Sequence, residues 1–130
     1  GKANVMKDGS DVCIITMGLM TPIALKAAKM LEEGGISAAV VNMHTIKPID
    51  KDIILEMNAK CKGIVTAEEH SIIGGLGSAV AEVLAGNPGA KFERVGIQDK
   101  FGKSGKPDDL FAAYGLTAEN IVAKCKATLE

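Results

Sequence analysis

Apolar residues cluster in short, evenly spaced segments along most of this chain. Asp11–Thr16, Ile36–Asn42, Gly63–Ala67 and Phe92–Ile97 each have the length and composition of a strand. Ile36–Asn42 is apolar at nearly every position, which is typical of a strand buried on both faces of a parallel sheet. The pattern therefore predicts a largely parallel sheet.

Amphipathic segments separate these strands and carry helix boundary signals. Thr21-Pro22 predicts the start of a first helix that runs to about Glu33, and Gly34-Gly35 predicts its left-handed stop. Apolar residues of this segment recur at i, i+3, i+4 and i+7, which indicates one buried face. Asp50 is placed to cap a second helix, and Thr117 to cap the last one.

The remaining segments complete the predicted fold. Ala3–Met6 is a further strand, and the turn composition of Lys7-Asp8-Gly9-Ser10 predicts that it forms a β-hairpin with Asp11–Thr16. Asp108–Tyr114 is expected to form a short helix after a polar loop. Together the elements predict an α/β fold over residues 1–130 as one domain, a three-layer αβα sandwich around a mostly parallel five-stranded sheet.

Composition narrows the functional classes. Apolar residues make up 47% of the chain and aromatic residues 3%, with no Trp, so the core must consist of Val, Ile, Leu, Met and Ala. The net charge is -1, and no stretch concentrates Lys or Arg as a nucleic-acid-binding surface requires. No apolar run approaches the ~20 residues of a membrane span, and the amino terminus lacks a signal sequence. We therefore expect a cytoplasmic protein that binds neither nucleic acid nor membrane.

The three cysteines and the first residue each allow one further prediction. Cys13, Cys61 and Cys125 are far apart in apolar or amphipathic settings, which predicts small core residues and not a metal or redox motif. The chain opens with Gly1 in place of Met, which suggests that a preceding portion has been removed.

The segment from Thr66 to Ser78 is the most suggestive for function, because it leads from the carboxyl end of a strand into the amino end of a helix. It holds the densest cluster of titratable side chains and a glycine-rich helix start whose free N–H groups could bind an anion. Glu68 or Glu69 could equally be that anion. The candidate interface or anion-binding residues are Glu68, Glu69, His70, Gly74, Gly75 and Gly77.

Other chemistries find little support. Gly75-Leu76-Gly77 begins a dinucleotide fingerprint but places Val80 where the third glycine should be, and a phosphate loop would need glycine where Ile97 stands. His44 and His70 are the only imidazoles and are not at metal-ligand spacing. No nucleophile has a suitably placed base. We therefore assign no catalytic, cofactor-binding or metal-binding residue to this chain.

Several stretches, taken together in order and spacing, are similar to the carboxyl-terminal domain of the transketolase family. That family includes deoxyxylulose-phosphate synthases and the β-subunits of 2-oxoacid dehydrogenases, and the pattern most resembles the split transketolases. The stretches are Gly9–Val12 with Ile14–Gly18, Val41–Asp50, Glu68–His70 with Gly74–Ala79, Asp99–Gly102 with Ser104-Gly105, and Tyr114–Thr117.

The resemblance implies a homodimeric parent enzyme whose other domains or subunit bind thiamine diphosphate and Mg²⁺. That enzyme would transfer a two-carbon ketol unit between sugar phosphates, as in the pentose phosphate pathway, with the cofactor supplying the difficult chemistry. This chain would serve assembly and be inactive alone, with the edge of Glu69, His70 and Gly74 to Gly77 packing on other domains or the partner subunit. Three alternatives stay open: an anion- or effector-binding regulatory module, an enzyme using His70 with Glu68 or Glu69 as acid and base, and the same domain from a related branch.

Overall fold

The computed structural model describes residues 2–71, 75–97, 112 and 115–130. The helix predicted over 108–114 lies outside these residues apart from residue 112. The strands are β1 (Asn4–Lys7), β2 (Val12–Thr16), β3 (Ala38–Asn42), β4 (Gly63–Ser71) and β5 (Lys91–Ile97). The helices are α1 (Met20–Glu33), α2 (Lys51–Lys60), α3 (Leu76–Leu84) and α4 (Ala118–Thr128).

The strands form one five-stranded sheet in the order β1-β3-β2-β4-β5. Neighbours from β3 to β5 are parallel, whereas β1 runs antiparallel to β3 at one edge. Every residue of β2, the central strand, is buried. The structure thus confirms the predicted mostly parallel sheet, whose strands are apolar because helices cover them.

Alternating residues of the sheet build two separate cores. Val12 and Ile14 point to the face covered by α1 and α4, whereas Cys13 and Ile15 point to the face covered by α2 and α3. Successive side chains of a strand point to opposite faces, so an apolar run such as Val12–Thr16 supplies both cores at once. The three-layer αβα arrangement is confirmed.

The predicted hairpin between the first two strands is wrong, because β3 lies between them. After β1 the chain crosses the start of β3, and a Cβ atom on Gly9 would lie 2.3 Å from the carbonyl carbon of Ala38. Asp11, which follows the turn, bonds to the residue just before β3. Asp11 N donates to Ser37 O at 2.8 Å, and Ser37 N donates to Asp11 Oδ2 at 2.7 Å. The absence of a side chain at Gly9 therefore lets the turn pass close to the backbone of β3.

Two of the three predicted helix caps are confirmed. Asp50 Oδ1 accepts from Ile53 N at 3.3 Å, and Thr117 Oγ1 accepts from Asn120 N at 3.1 Å. The cap predicted at Thr21 is wrong, because α1 begins at Met20 and the Thr21 hydroxyl donates to Asn42 Oδ1 at 3.3 Å. The proline after Thr21 fits inside the first turn, where backbone N–H groups lack helical partners. Among the described helices, none has the length and apolarity needed to cross a bilayer.

The three cysteines are buried and unpaired, as predicted. Burial raises the pKa of the Cys13 and Cys61 thiols and raises that of Cys125 to about 12. Reaction with a disulfide reagent needs the thiolate. We expect the native protein to react slowly at mildly alkaline pH, and all three thiols to react rapidly once it is denatured.

The same shifts predict how stability depends on pH. The folded thiols keep their protons above the pH at which unfolded thiols ionise, so the free energy of unfolding should fall as the pH rises from the ordinary thiol pKa toward about 12. Urea titrations at a series of alkaline pH values measure this slope. Rapid stoichiometric labelling of the native protein, or a slope of the opposite sign, would contradict the assigned burial.

Asn58 is a buried polar side chain on α2 that holds the loop between α3 and β5. Its Nδ2 donates to Asn87 O at 2.9 Å, and its Oδ1 accepts from Ala90 N at 2.8 Å. Asn58→Ala removes both bonds, so we expect a loss of about 1–3 kcal/mol in the free energy of unfolding, measured by urea titration. Asn87→Ala is the matched control, because that exposed side chain donates only to Val83 O among the described residues. Asn87→Ala should change the free energy of unfolding by less than about 0.5 kcal/mol. Equal losses of stability in the two variants would show that the Asn58 side chain does not hold this loop in place.

Candidate functional site

The carboxyl ends of β2 and β4 form the topological switch point of the sheet. The chain leaves β2 through α1 to reach β3 on one side, whereas β4 pairs with the other side of β2. Crevices at such points are where α/β folds bind ligands and partners. The segment singled out in the sequence, from Thr66 onward, begins here.

Glu68 occupies the amino end of α3. Its side chain is 1% exposed, its Oε1 accepts from Leu76 N at 2.8 Å, and its Oε2 accepts from Gly77 N at 2.7 Å. Both carboxylate oxygens are therefore bound by N–H groups that the first turn of a helix leaves without helical partners. The negative charge also lies at the positive end of the helix dipole, which stabilises it.

Glu69 faces the other side of the sheet and reaches the amino end of α1. Leu19 N donates to its Oε1 at 3.5 Å, the long end of the hydrogen-bond range. Gly18 has φ +59°, and a Cβ atom there would lie 2.6 Å from the same oxygen. A glycine at this position thus provides both the left-handed backbone and the space for the carboxylate.

Two consecutive carboxylates therefore sit at two helix starts on opposite faces of the sheet. This follows from the alternation of side chains along β4, in which Glu68 points toward α3 and Glu69 toward α1. From the sequence alone, either a carboxylate of this pair or an external anion could bind the start of α3. The structure places Glu68 there, so an anion at those two N–H groups would have to displace a buried carboxylate.

The other predicted site residues divide into two groups. Gly75 is the residue before α3, and Gly77 lies in its first turn. A Cβ atom at Gly77 would be 3.1 Å from both Thr66 Oγ1 and Arg94 Cδ, so the glycine lets the helix start approach β4 and β5 closely. His70 belongs to β4, but its side chain lies outside the described residues, as does all of Gly74.

A polar group beside Glu68 was missed in the sequence. Thr66 Oγ1 is completely buried and has no hydrogen-bond partner within the described part of the chain. Arg94 lies nearby on β5, where its Nη1 donates to Ser78 Oγ at 3.5 Å and its guanidinium stacks 5.5 Å from the ring centre of Phe92. No sequence motif joins these residues, because they come together only through the pairing of β4 with β5.

An open groove of about 820 Å³ runs between the β3–α2 loop, α2 and α3 on the outside of the fold. Its apolar lining includes Ile46, Pro48, Leu55 and Val83, and Gly75 also lines it. We refer to it as the α2/α3 groove. A sequence signal existed for it: Leu55 is an apolar residue on the otherwise polar outer side of α2, and it is 37% exposed.

At the switch point, the described carboxylates accept hydrogen bonds from backbone N–H groups. Both carboxylate oxygens of Glu68 accept backbone hydrogen bonds. Among the residues with described positions, no three His, Cys, Asp or Glu side chains come together as a metal site would require. The region presents a sheet edge at which carboxylates contact two helix starts, and Gly75 before α3 also lines the apolar groove.

Comparison with known proteins gives consistent matches. Residues 1–121 match the family described as "Transketolase, C-terminal domain". The chain is 52% identical over 126 residues to the "Putative transketolase C-terminal section" of Methanocaldococcus jannaschii, covering 95% of this chain and 39% of that protein. It is 47% identical over 122 residues to the "6-deoxy-6-sulfo-D-fructose transketolase subunit SqwH" of Clostridium sp. (strain MSTE9), covering 94% and 38%.

A solved structure described as "Split gene transketolase, inactive beta4 tetramer" superposes with a TM-score of 0.94 at 49% sequence identity. The superposition covers 98% of this chain and 42% of that one. The chain thus spans about two fifths of the length of these proteins.

Proposed function

Because this chain belongs to the family of transketolase C-terminal domains, we propose that it is the carboxyl-terminal domain of a thiamine-diphosphate-dependent transketolase. The parent enzyme would transfer a two-carbon ketol unit between sugar phosphates. The observation that carries the proposal is the 52% identity over 95% of the chain to a transketolase C-terminal section. Since the chain corresponds to 39% of that relative, the parent would supply further domains or a further subunit.

The role we propose for this chain is assembly of the parent enzyme, without catalysis of its own. The geometry of the switch point supports this role, because Glu68 and Glu69 are engaged at the starts of α3 and α1. Carboxylates used in this way fix the positions of helices. The edge they stabilise would then pack against other domains or the second subunit of a homodimer.

Thiamine diphosphate and Mg²⁺ would bind to the rest of the parent enzyme. The described residues of this chain do not fit the cofactor's diphosphate, because the paired N–H groups of Leu76 and Gly77 already hold the Glu68 carboxylate. When bound elsewhere in the parent, the cofactor would supply the carbanion chemistry of ketol transfer. No step of that chemistry is assigned to residues of this chain.

A second candidate is the same domain of a 1-deoxy-D-xylulose-5-phosphate synthase. The chain is 38% identical over 130 residues to such an enzyme from Symbiobacterium thermophilum, covering 99% of this chain and 20% of that protein. The higher identities of 52% to a transketolase section and 47% to a transketolase subunit favour ketol transfer. Assaying the parent enzyme with a ketose phosphate donor and with pyruvate would separate the two reactions.

The assembly role can be tested in the parent enzyme with the double substitution Glu69→Ala and His70→Ala. If the edge packs on the partner subunit, the dimer should dissociate at a protein concentration at least about tenfold higher than for the unchanged enzyme, a difference of about 1.4 kcal/mol. Sedimentation velocity over a dilution series measures this. An unchanged dissociation constant would remove this edge from the subunit interface.

A further inference from the structure

We propose that the α2/α3 groove is the docking surface for the domain that precedes this one in the parent polypeptide. The inference rests on the proposed function, since it assumes such a domain. The proposal names the surface of this chain that the preceding domain would cover and the kinds of side chain that the domain would place there.

The lining of the groove is the first support. Ile46, Pro48, Leu55 and Val83 line an open cleft of about 820 Å³. Exposed apolar surface that is continuous and rimmed by polar residues marks interaction sites in soluble proteins. Leu55 is 37% exposed although it sits in the middle of α2. Covering it would remove apolar surface from water, which is the main driving force of association.

The position of Ala3 is the second support. Ala3 N donates to Asp50 Oδ2 at 2.9 Å, and Ala3 packs against the core on the α2 and α3 side of the sheet. Asp50 lies between Ile49 and Lys51, which both line the groove. A domain joined to this segment would be tethered beside the groove, where its effective concentration is high.

Charges on the rim define the occupant further. Lys47 and Lys51 lie on the side of the β3–α2 loop and α2, and Glu82 lies on the α3 side. A matching surface would present an apolar segment with acidic side chains toward the lysines and a basic one toward Glu82. Such rim pairs fix the orientation of a docked surface more than they add affinity.

Thiol labelling tests the proposal directly. Leu55→Cys places a reactive group in the groove, and the native Cys13, Cys61 and Cys125 give a low background because they are buried. Labelling rates are compared between the 130-residue chain and the full parent enzyme, with the unchanged parent as baseline. We expect Leu55→Cys to react at least about tenfold more slowly in the parent, because a covered site reacts only through local opening.

Ala123→Cys is the matched control, because Ala123 is exposed on α4, on the opposite face of the sheet. Its labelling rate should change by less than about threefold between chain and parent. Val83→Cys is a second groove variant should Leu55→Cys fold poorly. Equal labelling of the groove cysteine in chain and parent, as for a cleft left open for a small effector, would overturn the proposal. The readout does not depend on ketol transfer, so an inactive parent would refute the proposed function without deciding the docking surface.

Discussion

Gly9→Ala is expected to lower the free energy of unfolding by about 3 kcal/mol, the upper end of the usual cost of overpacking, because the added methyl group would collide with backbone atoms. The new Cβ would lie 2.3 Å from the carbonyl carbon of Ala38 and 2.4 Å from the nitrogen of Ala39. These atoms belong to β3, which is paired on both sides by β1 and β2. Relief therefore requires separating the crossing chain from the sheet.

The neighbourhood of Gly9 resists that separation. Lys60 on α2 forms an ion pair with Asp8, and this bond lowers the pKa of the Asp8 carboxyl. Lys7 bonds to the carbonyl of Ala38 at 2.7 Å. Urea titration followed by circular dichroism measures the loss of stability.

Gly34→Ala is the matched control for this prediction. Gly34 follows α1 with φ -91°, which any residue adopts, and the nearest atom to its added Cβ is Leu31 O at 3.5 Å. The substitution should be neutral or slightly stabilising. Alanine lowers the conformational entropy of the unfolded chain, which stabilises the folded state by about 0.4–1 kcal/mol. Equal effects of the two substitutions would contradict the crossing described at Gly9.

Glu68→Ala should cost about 3 kcal/mol or more, because it leaves two buried N–H groups without an acceptor. Leu76 N and Gly77 N both bond to the Glu68 carboxylate within 2.8 Å. Bonds to a charged group contribute about 1.5–3 kcal/mol each, and a cavity forms where the side chain was. Urea titration measures the change, and amide exchange should show faster opening of the first turn of α3.

Glu69→Ala and Glu68→Gln are the controls that show how much of the loss in stability comes from the Glu68 hydrogen bonds at α3. Glu69 is half-buried and makes one long contact to Leu19 N among the described residues, so Glu69→Ala should cost less than about 1 kcal/mol. Glu68→Gln keeps one acceptor but brings an NH₂ group against a backbone N–H, so its cost should lie between the other two. A Glu69→Ala effect as large as that of Glu68→Ala would mean that the carboxylate at α3 is not the dominant anchor.

The features that the sequence predicted correctly are local ones. Asp50 and Thr117 cap helices within three residues, and Gly35 ends α1 with φ +85°. The parallel sheet was also predictable, because strands buried on both faces must be apolar throughout. Local chemistry and the pattern of burial thus defined the fold class.

The features that failed depend on distant partners. The turn around Gly9 has hairpin composition, yet β1 pairs with β3, which lies farther along the chain. Thr21 has a capping side chain, but its hydroxyl donates to Asn42 on β3 and α1 begins one residue before it. In the site, the roles of Glu68 and Glu69 could not be separated, because they depend on which helix start lies above each face of β4. The α2/α3 groove was missed because three separate segments line it.

Isothermal titration of thiamine diphosphate with Mg²⁺ into this chain, with the parent enzyme titrated in parallel, tests the central claim most directly. If the chain is a completing domain, the parent enzyme should bind the cofactor and the chain alone should give no heat of binding at the same concentrations. Saturable binding to the chain alone would place a cofactor site in this domain and contradict the account.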